Sequence, residues 1–290
     1  MRFSYAESMC DPSFYLPLAR AAEAAGYTSF TVPDNIGYAG GSEAAYPHTE
    51  DGGSAFLEDK PFVEPFSLIP AMGAVTETLR FTTFVVKLPI RLPYLVAKQA
   101  ASVAVITNNR FGFGIGLSPW PEDFRVCGQD WDSRGKRMDE MIEIIRGFTQ
   151  GDYFEFHGEH YDIERIKMAP TPSEPIPILI GGHSEPALRR AARTGDGWMH
   201  AGGPAEELDH VLERLAHLRG EYGREKRPFE IHVLSDEAFS LDGVRRLEDR
   251  GVTDAVVAFR NFYQKGPDTQ TLQEKIDAVR GYADRIIAKL

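Results

Sequence analysis

What most constrains this chain is an alternation that repeats eight times. A short β-rich run is followed by a run with helical periodicity, and then the pair recurs. The sequence predicts strands over 2–6, 27–32, 80–86, 110–116, 176–180, 197–200, 229–234 and 255–259. It predicts helices over 12–25, 62–76, 93–107, 133–149, 185–194, 205–222 and 241–250, with a last one from 271. The helix over 133–149 carries the clearest stripe, with Met138, Met141, Ile142, Ile145 and Phe148 on one side. The helix over 93–107 is apolar enough to suggest burial on most sides. A strand and helix in turn imply parallel pairing, because a helical crossover returns the chain to the same end of the sheet. Eight such units point to a TIM (β/α)8 barrel with insertions, and a doubly wound open sheet is the other arrangement that periodicity allows. The rhythm breaks over 36–62, which is polar and glycine-rich and reads as a possible lid or a surface insertion. It breaks again over 151–175, with a hairpin around His157-Gly158 and a proline-rich stretch.

The 290 residues suit one such barrel, which takes about 250 residues. A single domain over 1–290 is expected. The formal net charge of −11 argues against a nucleic-acid partner. It also requires any anionic ligand to be held by local donors. Two cysteines, Cys10 and Cys127, with no CxxC pair exclude a disulfide scaffold and suit a reducing compartment. The chain shows no signal peptide and no apolar run that would span a membrane, so a cytoplasmic location is expected.

In a barrel the chemistry sits just after each strand. The second strand ends at Pro33-Asp34-Asn35 and the third at Phe84-Val85-Val86-Lys87. Lys87 there would pair with a ligand anion or lie in solvent. The fourth ends in Gly112-Phe-Gly114-Ile-Gly116-Leu117-Ser118-Pro119-Trp120, where glycines admit close approach of a ligand. Trp120 could stack on a planar ring or cap the mouth. The spacing is not a dinucleotide fingerprint, because no third glycine opens a helix. The fifth ends in Ile180-Gly181-Gly182-His183-Ser184-Glu185-Pro186. N–H groups at the start of the following helix would form a phosphate site, or the motif is only a capped helix after a tight turn. The sixth ends in His200-Ala201-Gly202-Gly203. No residues offer a metal-ligand pattern; His157 and His160 flank a turn.

In order along the chain, several segments resemble the bacterial luciferase-like family. They are Ala21-Ala-Glu-Ala-Ala-Gly26 with Ser29-Phe-Thr-Val-Pro-Asp34-Asn35, then Leu95-Val-Ala-Lys98-Gln99 with Asn109-Arg110-Phe111-Gly-Phe-Gly114-Ile-Gly116. Arg134-Gly-Lys-Arg137-Met-Asp139-Glu140, Ile178-Leu-Ile-Gly181-Gly182 and Gly195-Asp196-Gly197-Trp198 complete the set. The resemblance spans 3 to 285. It implies a TIM barrel that binds coenzyme F420, a deazaflavin, or FMN at its C-terminal mouth. It places Asp34 and Asn35 near the reactive face of the ring and Phe84 and Val85 in a bulge behind it. Leu117 and Ser118 would follow the cofactor's side chain, with Trp120, Ile180 and Gly202 around it. Gly181, Gly182 and His183 would hold its phosphate. Many relatives carry histidine where this chain has Asn35, and an amide cannot shuttle a proton near neutral pH.

These expectations combine into a hydride-transferring oxidoreductase that uses reduced F420 on a small organic substrate. Asp34, Asn35, His48 and Glu7 are the candidate catalytic residues. A two-component monooxygenase using reduced FMN from a separate reductase is the first alternative, and a non-catalytic flavin-binding protein is the second. A bulky replacement of Gly181 is expected to abolish cofactor binding. Apolar barrel helices also allow a homodimer.

Overall fold

The computed structural model describes residues 1–42, 44–46, 49 and 51–290. Among them the chain runs β1 (Arg2–Ala6), α1 (Tyr15–Ala24), β2 (Ser29–Val32), α2 (Pro65–Gly73), β3 (Arg80–Thr83), β4 (Val86–Lys87), α3 (Pro93–Ile106), β5 (Phe111–Gly116) and α4 (Pro121–Val126). It continues with α5 (Arg134–Thr149), β6 (Tyr153–His157), β7 (Asp162–Lys167), β8 (Ile178–Gly181), α6 (Glu185–Thr194), β9 (Gly197–His200) and α7 (Ala205–Glu221). It ends with β10 (Glu230–Leu234), α8 (Leu241–Asp249), β11 (Asp254–Val257) and α9 (Leu272–Arg285).

Strand pairing decides between an open sheet and a barrel. Moving round the sheet, β1, β2, β3, β5, β8, β9, β10 and β11 each pair in parallel with the next. The ring closes where Arg2–Tyr5 of β1 lie beside Asp254–Val257 of β11. The molecule is therefore a closed eight-stranded parallel barrel, and the open-sheet alternative does not apply. Both faces of the strands are covered, and Phe30, Phe81, Phe111, Phe113, Ile180 and Trp198 are fully buried.

The third barrel strand departs from expectation. A single run over 80–86 is expected, but pairing stops at Thr83 and resumes on β5 at Val86 and Lys87. Between them lie Phe84 and Val85, joined by a cis peptide. Gly114 makes room for this departure. A Cβ there would lie 1.9 Å from the Thr83 carbonyl oxygen and 2.6 Å from Met199 Sδ. The Thr83 hydroxyl donates to the Gly114 carbonyl at 2.7 Å across the same seam.

The helix α3 corrects a second expectation. It buries one face of small residues, Val96, Ala97, Ala100, Ala101, Val103 and Ala104, and leaves Leu95 52 % and Ile106 60 % exposed. The hairpin expected around His157-Gly158 is β6–β7 and runs to Lys167, with a register shift between Phe154 and Phe156. Glu140 on α5 accepts the backbone N–H groups of Glu159 and Tyr161 and so fixes the hairpin turn. The short helix α4 has no counterpart in the sequence reading, because six residues are too few to show a period.

At the N-terminal end of the barrel lies a buried polar network. Asp254 pairs with Arg2 at 2.6 Å, and Glu230 with Arg2 at 3.1 Å and Arg80 at 3.3 Å. The imidazole of His232 lies 2.8 Å from Glu230. Glu230, His232 and Asp254 have a spacing that could suit a metal ion, yet the two arginines already supply the countercharge. No helix among the described residues is long and apolar enough to cross a membrane.

Candidate active site

The opposite, C-terminal end of the barrel opens into a cavity of about 970 Å³. That is the size range of small-molecule sites. Its wall comes from the residues immediately after the strands, as barrel geometry requires. Glu7, Asp34, Asn35, Phe84, Val85, Leu117, Trp120, Gly181, Gly182, His183 and Gly202 all line it. Ser118 and Ile180 do not. The Ser118 hydroxyl is buried, donates to Asp123 at 2.5 Å and accepts the Trp120 N–H at 3.0 Å, so it shapes the turn into α4. Ile180 is fully buried in the hydrophobic core. His48 lies outside the described residues.

Chain direction and two glycine conformations build the turn after β8. Gly182 has φ +116°, a backbone that side chains disfavour, and a Cβ would sit 3.0 Å from the Ala187 Cβ. The turn delivers the chain to the N-terminus of α6, where Pro186 has no N–H and the Ala187 N–H donates to the Ser184 carbonyl at 2.9 Å, so the donors left without a backbone partner among the described residues are the N–H groups of Ser184 and Glu185. Ser184 makes no side-chain cap bond that would occupy them. The indole of Trp198 donates to the Gly182 carbonyl at 2.9 Å, which fixes the turn. Glu185 would oppose an anion here, but its carboxylate turns outward to Arg214 at 2.6 Å and Arg189 at 2.7 Å. Hydrogen bonding to Arg214 holds its pKa below the usual glutamate value. Gly202 and Gly203, at φ +98° and +142°, complete the wall on the β9 side.

His183 stacks on His200, with ring centroids 4.6 Å apart and planes 7° from parallel. Burial pushes the His183 pKa down, and Glu207 nearby offsets only part of that. Gly181 serves packing: a Cβ there would approach Val85 Cγ1 to 2.9 Å. A bulky replacement of Gly181 would therefore displace Val85 first, and Gly182 is the cleaner position at which to probe the turn.

The acidic candidates are committed to internal pairs. Both carboxylate oxygens of Asp34 face the Arg91 guanidinium at 2.9 Å, and Oδ2 also accepts the Lys87 N–H at 2.9 Å. Glu7 accepts Lys275 Nζ at 2.8 Å, Arg260 Nε at 3.1 Å and the Tyr5 hydroxyl at 3.0 Å. Asn35 is an acceptor for Lys87 Nζ at 2.6 Å, and Asp123 accepts the same ammonium at 2.7 Å. A carboxylate so surrounded orients its neighbours. Cys10 is buried, and that burial pushes its thiol up to about 12, which leaves it inert.

The sequence reading left several wall residues unnamed. They include Met9, Met199, Phe262 and Tyr263. None follows a recognisable motif, and barrel closure alone brings them in. Arg137 and Asp139 of the charged helix-start motif are structural. Arg137 donates to the Pro89 carbonyl at 2.8 Å and to Gln129 at 2.7 Å, and Asp139 pairs with Arg190 at 2.8 Å. Arg134 from the same motif lines the cavity and lies 3.7 Å over the Trp131 ring, without an ion pair among the described residues.

Fold and cavity together define a parallel βα-barrel protein with a small-molecule site at its C-terminal mouth. Comparison with known proteins narrows this class. The model of the luciferase-like monooxygenase family matches residues 5–274, and the chain belongs to that family. It is 58% identical over 290 residues, all of both chains, to the uncharacterised protein Rv0940c of Mycobacterium tuberculosis. It is 27% identical over 266 residues to an F420-dependent glucose-6-phosphate dehydrogenase of Nakamurella multipartita, covering 86% of this chain and 71% of the relative. It is 29% identical over 201 residues to an FMNH2-dependent dimethylsulfone monooxygenase of Pseudomonas fluorescens, covering 68% of this chain and 50% of that one. In fold it matches the coenzyme F420-dependent tetrahydromethanopterin reductase of Methanopyrus kandleri with a TM-score of 0.75, at 13% identity over 99% of each chain. The family is thus one of oxidoreductases with F420-dependent and FMNH2-dependent members.

Proposed function

We propose that this protein is a deazaflavin-dependent oxidoreductase that binds coenzyme F420 at the C-terminal mouth of the barrel and orients a small organic substrate for hydride transfer. The observation that carries this reading is the turn after β8. Gly182 takes a backbone open to close approach, α6 presents its N-terminus, and Glu185 is neutralised on the outer surface. Such a turn suits a phosphate monoester in a protein whose overall charge repels anions. The residues that would hold the cofactor are Gly182, His183, Ser184 and Gly202 at the phosphate, with Phe84, Val85, Leu117 and Met199 along the ring and its side chain. When bound, the reduced deazaflavin supplies the hydride.

The chain's own part is binding, exclusion of water and proton placement. Asp34 and Glu7 are fixed in ion pairs, so they position other groups. Lys87 is the group suited to hold a proton at the cavity wall. Its ammonium has three donors, and Asn35 and Asp123 occupy two. A titration of the protein with F420 and with FMN, oxidised and reduced, tests the proposal. Preferential binding of F420, lost in Gly182→Val, is the expected result; binding of neither, or unchanged binding in Gly182→Val, would overturn it.

A second reading, reduced FMN with oxygen, draws on the dimethylsulfone monooxygenase relative. It would need a separate flavin reductase. Oxygen uptake with such a reductase present, and preference for reduced FMN, would put it first. Cofactor binding with no turnover on any substrate would instead favour a flavin-carrying protein.

A further inference from the structure

The cavity has two unlike halves, and the order of the strands sets them opposite each other. Round the barrel β8 and β9 lie four places from β1 and β2. The glycine turn and Arg134 therefore sit across the mouth from the residues that follow β1, β2 and β11. That second half is aromatic. Tyr46, Phe56 and Phe62 come from the segment after β2, Trp120 from the segment after β5, and Phe262 and Tyr263 from the segment after β11. Tyr46 stacks on Trp120 at 5.1 Å and 28°, and Phe56 meets Tyr263 edge-on at 5.3 Å and 82°. The two long loops are clasped together, with Lys60 Nζ donating to the Gly266 carbonyl and Lys265 pairing with Asp51 at 3.2 Å.

Charge in this half is balanced internally. Lys87 is matched by Asp123, Arg91 by Asp34, and Arg260 and Lys275 by Glu7 and Asp268. A sugar phosphate placed here would bury a dianion without a spare cation among the described residues that line this half, which is strongly disfavoured. A neutral planar molecule would instead meet ring faces and edges in the arrangements that aromatic pairs prefer.

We infer that the half of the cavity beneath Tyr46, Phe56, Trp120 and Tyr263 binds an uncharged, apolar aromatic substrate. This rests on the reading that places the cofactor phosphate at the Gly182 turn. It sets the chain apart from a glucose-6-phosphate dehydrogenase, the name its Nakamurella relative carries.

Calorimetric titration of the full-length protein with 2-naphthol and, separately, with glucose 6-phosphate tests it, each with and without F420. The expected result is saturable binding of 2-naphthol and none of glucose 6-phosphate. Affinity for 2-naphthol should fall about tenfold or more in Tyr263→Ser and in Phe56→Leu, and change less than about threefold in Tyr263→Phe. Phe56→Leu carries the comparison if Tyr263→Ser fails to fold. Glucose 6-phosphate binding as tightly as 2-naphthol, no binding of 2-naphthol, or equal 2-naphthol affinity in wild type and Phe56→Leu would each overturn the inference. F420 binding without 2-naphthol binding removes this inference and leaves the cofactor reading. Binding of 2-naphthol that Phe56→Leu weakens, with no binding of F420 or FMN, removes the cofactor reading and leaves the aromatic site.

Discussion

Asp34 lines the mouth of the barrel but is bonded as a strut. Its two oxygens carry Arg91 and a backbone N–H, and the Arg91 side chain is only 15% exposed. Removing the charge from one partner of such a pair strands the other in a poorly hydrated place. Asp34→Asn is therefore expected to lower unfolding free energy by about 2–4 kcal/mol in a denaturant titration. Stability within error of wild type would mean that the pair contributes little and that Asp34 is available for other work. At Lys87 the expectation separates binding from turnover. Under the proposed function, Lys87→Met should reduce kcat about tenfold or more while cofactor affinity changes little. An unchanged kcat would remove Lys87 from proton handling. Neither residue's condition is legible in sequence, because their partners lie 57 and 36 positions away. Asn35, by contrast, could be discounted as a proton carrier from its identity alone.

At the scale of single elements, the turn into α6 is the part that sequence conveyed best. A glycine pair, a serine and a proline in that order have few structural meanings, and the structure shows a left-handed Gly182 leading to Pro186 in the first helical turn. Gly182→Val would place a branched side chain at φ +116° with its Cβ 3.0 Å from Ala187. It should destabilise the protein by about 1–3 kcal/mol, read from the denaturation midpoint, because the backbone must shift. Full stability in this variant would show that the turn has an alternative conformation. The third strand shows where sequence reading stops. Val, Phe and Thr over 80–86 look alike to a β-propensity argument, and the break at Phe84-Val85 depends on Gly114 across the seam. The exposed face of α3 was misread for a related reason. Apolar composition indicates that a helix can be buried, and packing against α2 and α5 decides which side is. The aromatic half of the cavity was not legible as a unit, since closure brings Phe262 and Tyr263 from the far end of the chain to Tyr46 and Phe56.

For the whole molecule, the eightfold alternation was sufficient to indicate a barrel, while closure itself had to be seen in the pairing of β1 with β11. Gly114→Ala probes that ring. A Cβ 1.9 Å from the Thr83 carbonyl cannot be accommodated by a rotamer change, so β3 and β5 must part. The expected loss is about 3 kcal/mol or more, seen as a large drop in melting temperature; an unchanged melt would contradict the placement of the seam. The polar network at the other end gives a pH signature. Burial alone would raise the Glu230 pKa, but His232, Arg80 and Arg2 more than offset it and hold the group at about 2. A lowered carboxylate stabilises the fold above its unfolded value, and that contribution fades as pH falls from about 4.5 toward 2. Glu230→Gln should therefore cost roughly 2–3 kcal/mol at pH 7 and progressively less below pH 4, measured by urea unfolding across that range. A deficit independent of pH would assign the loss to packing. The pairing of β1 with β11 also bears on how the protein is made. During synthesis residues 2–6 leave the ribosome well before their partners on one side, residues 254–257. One edge of β1 thus stays bare until β11 emerges, and the nascent chain must shield it, by its own loops or by a chaperone, over that interval.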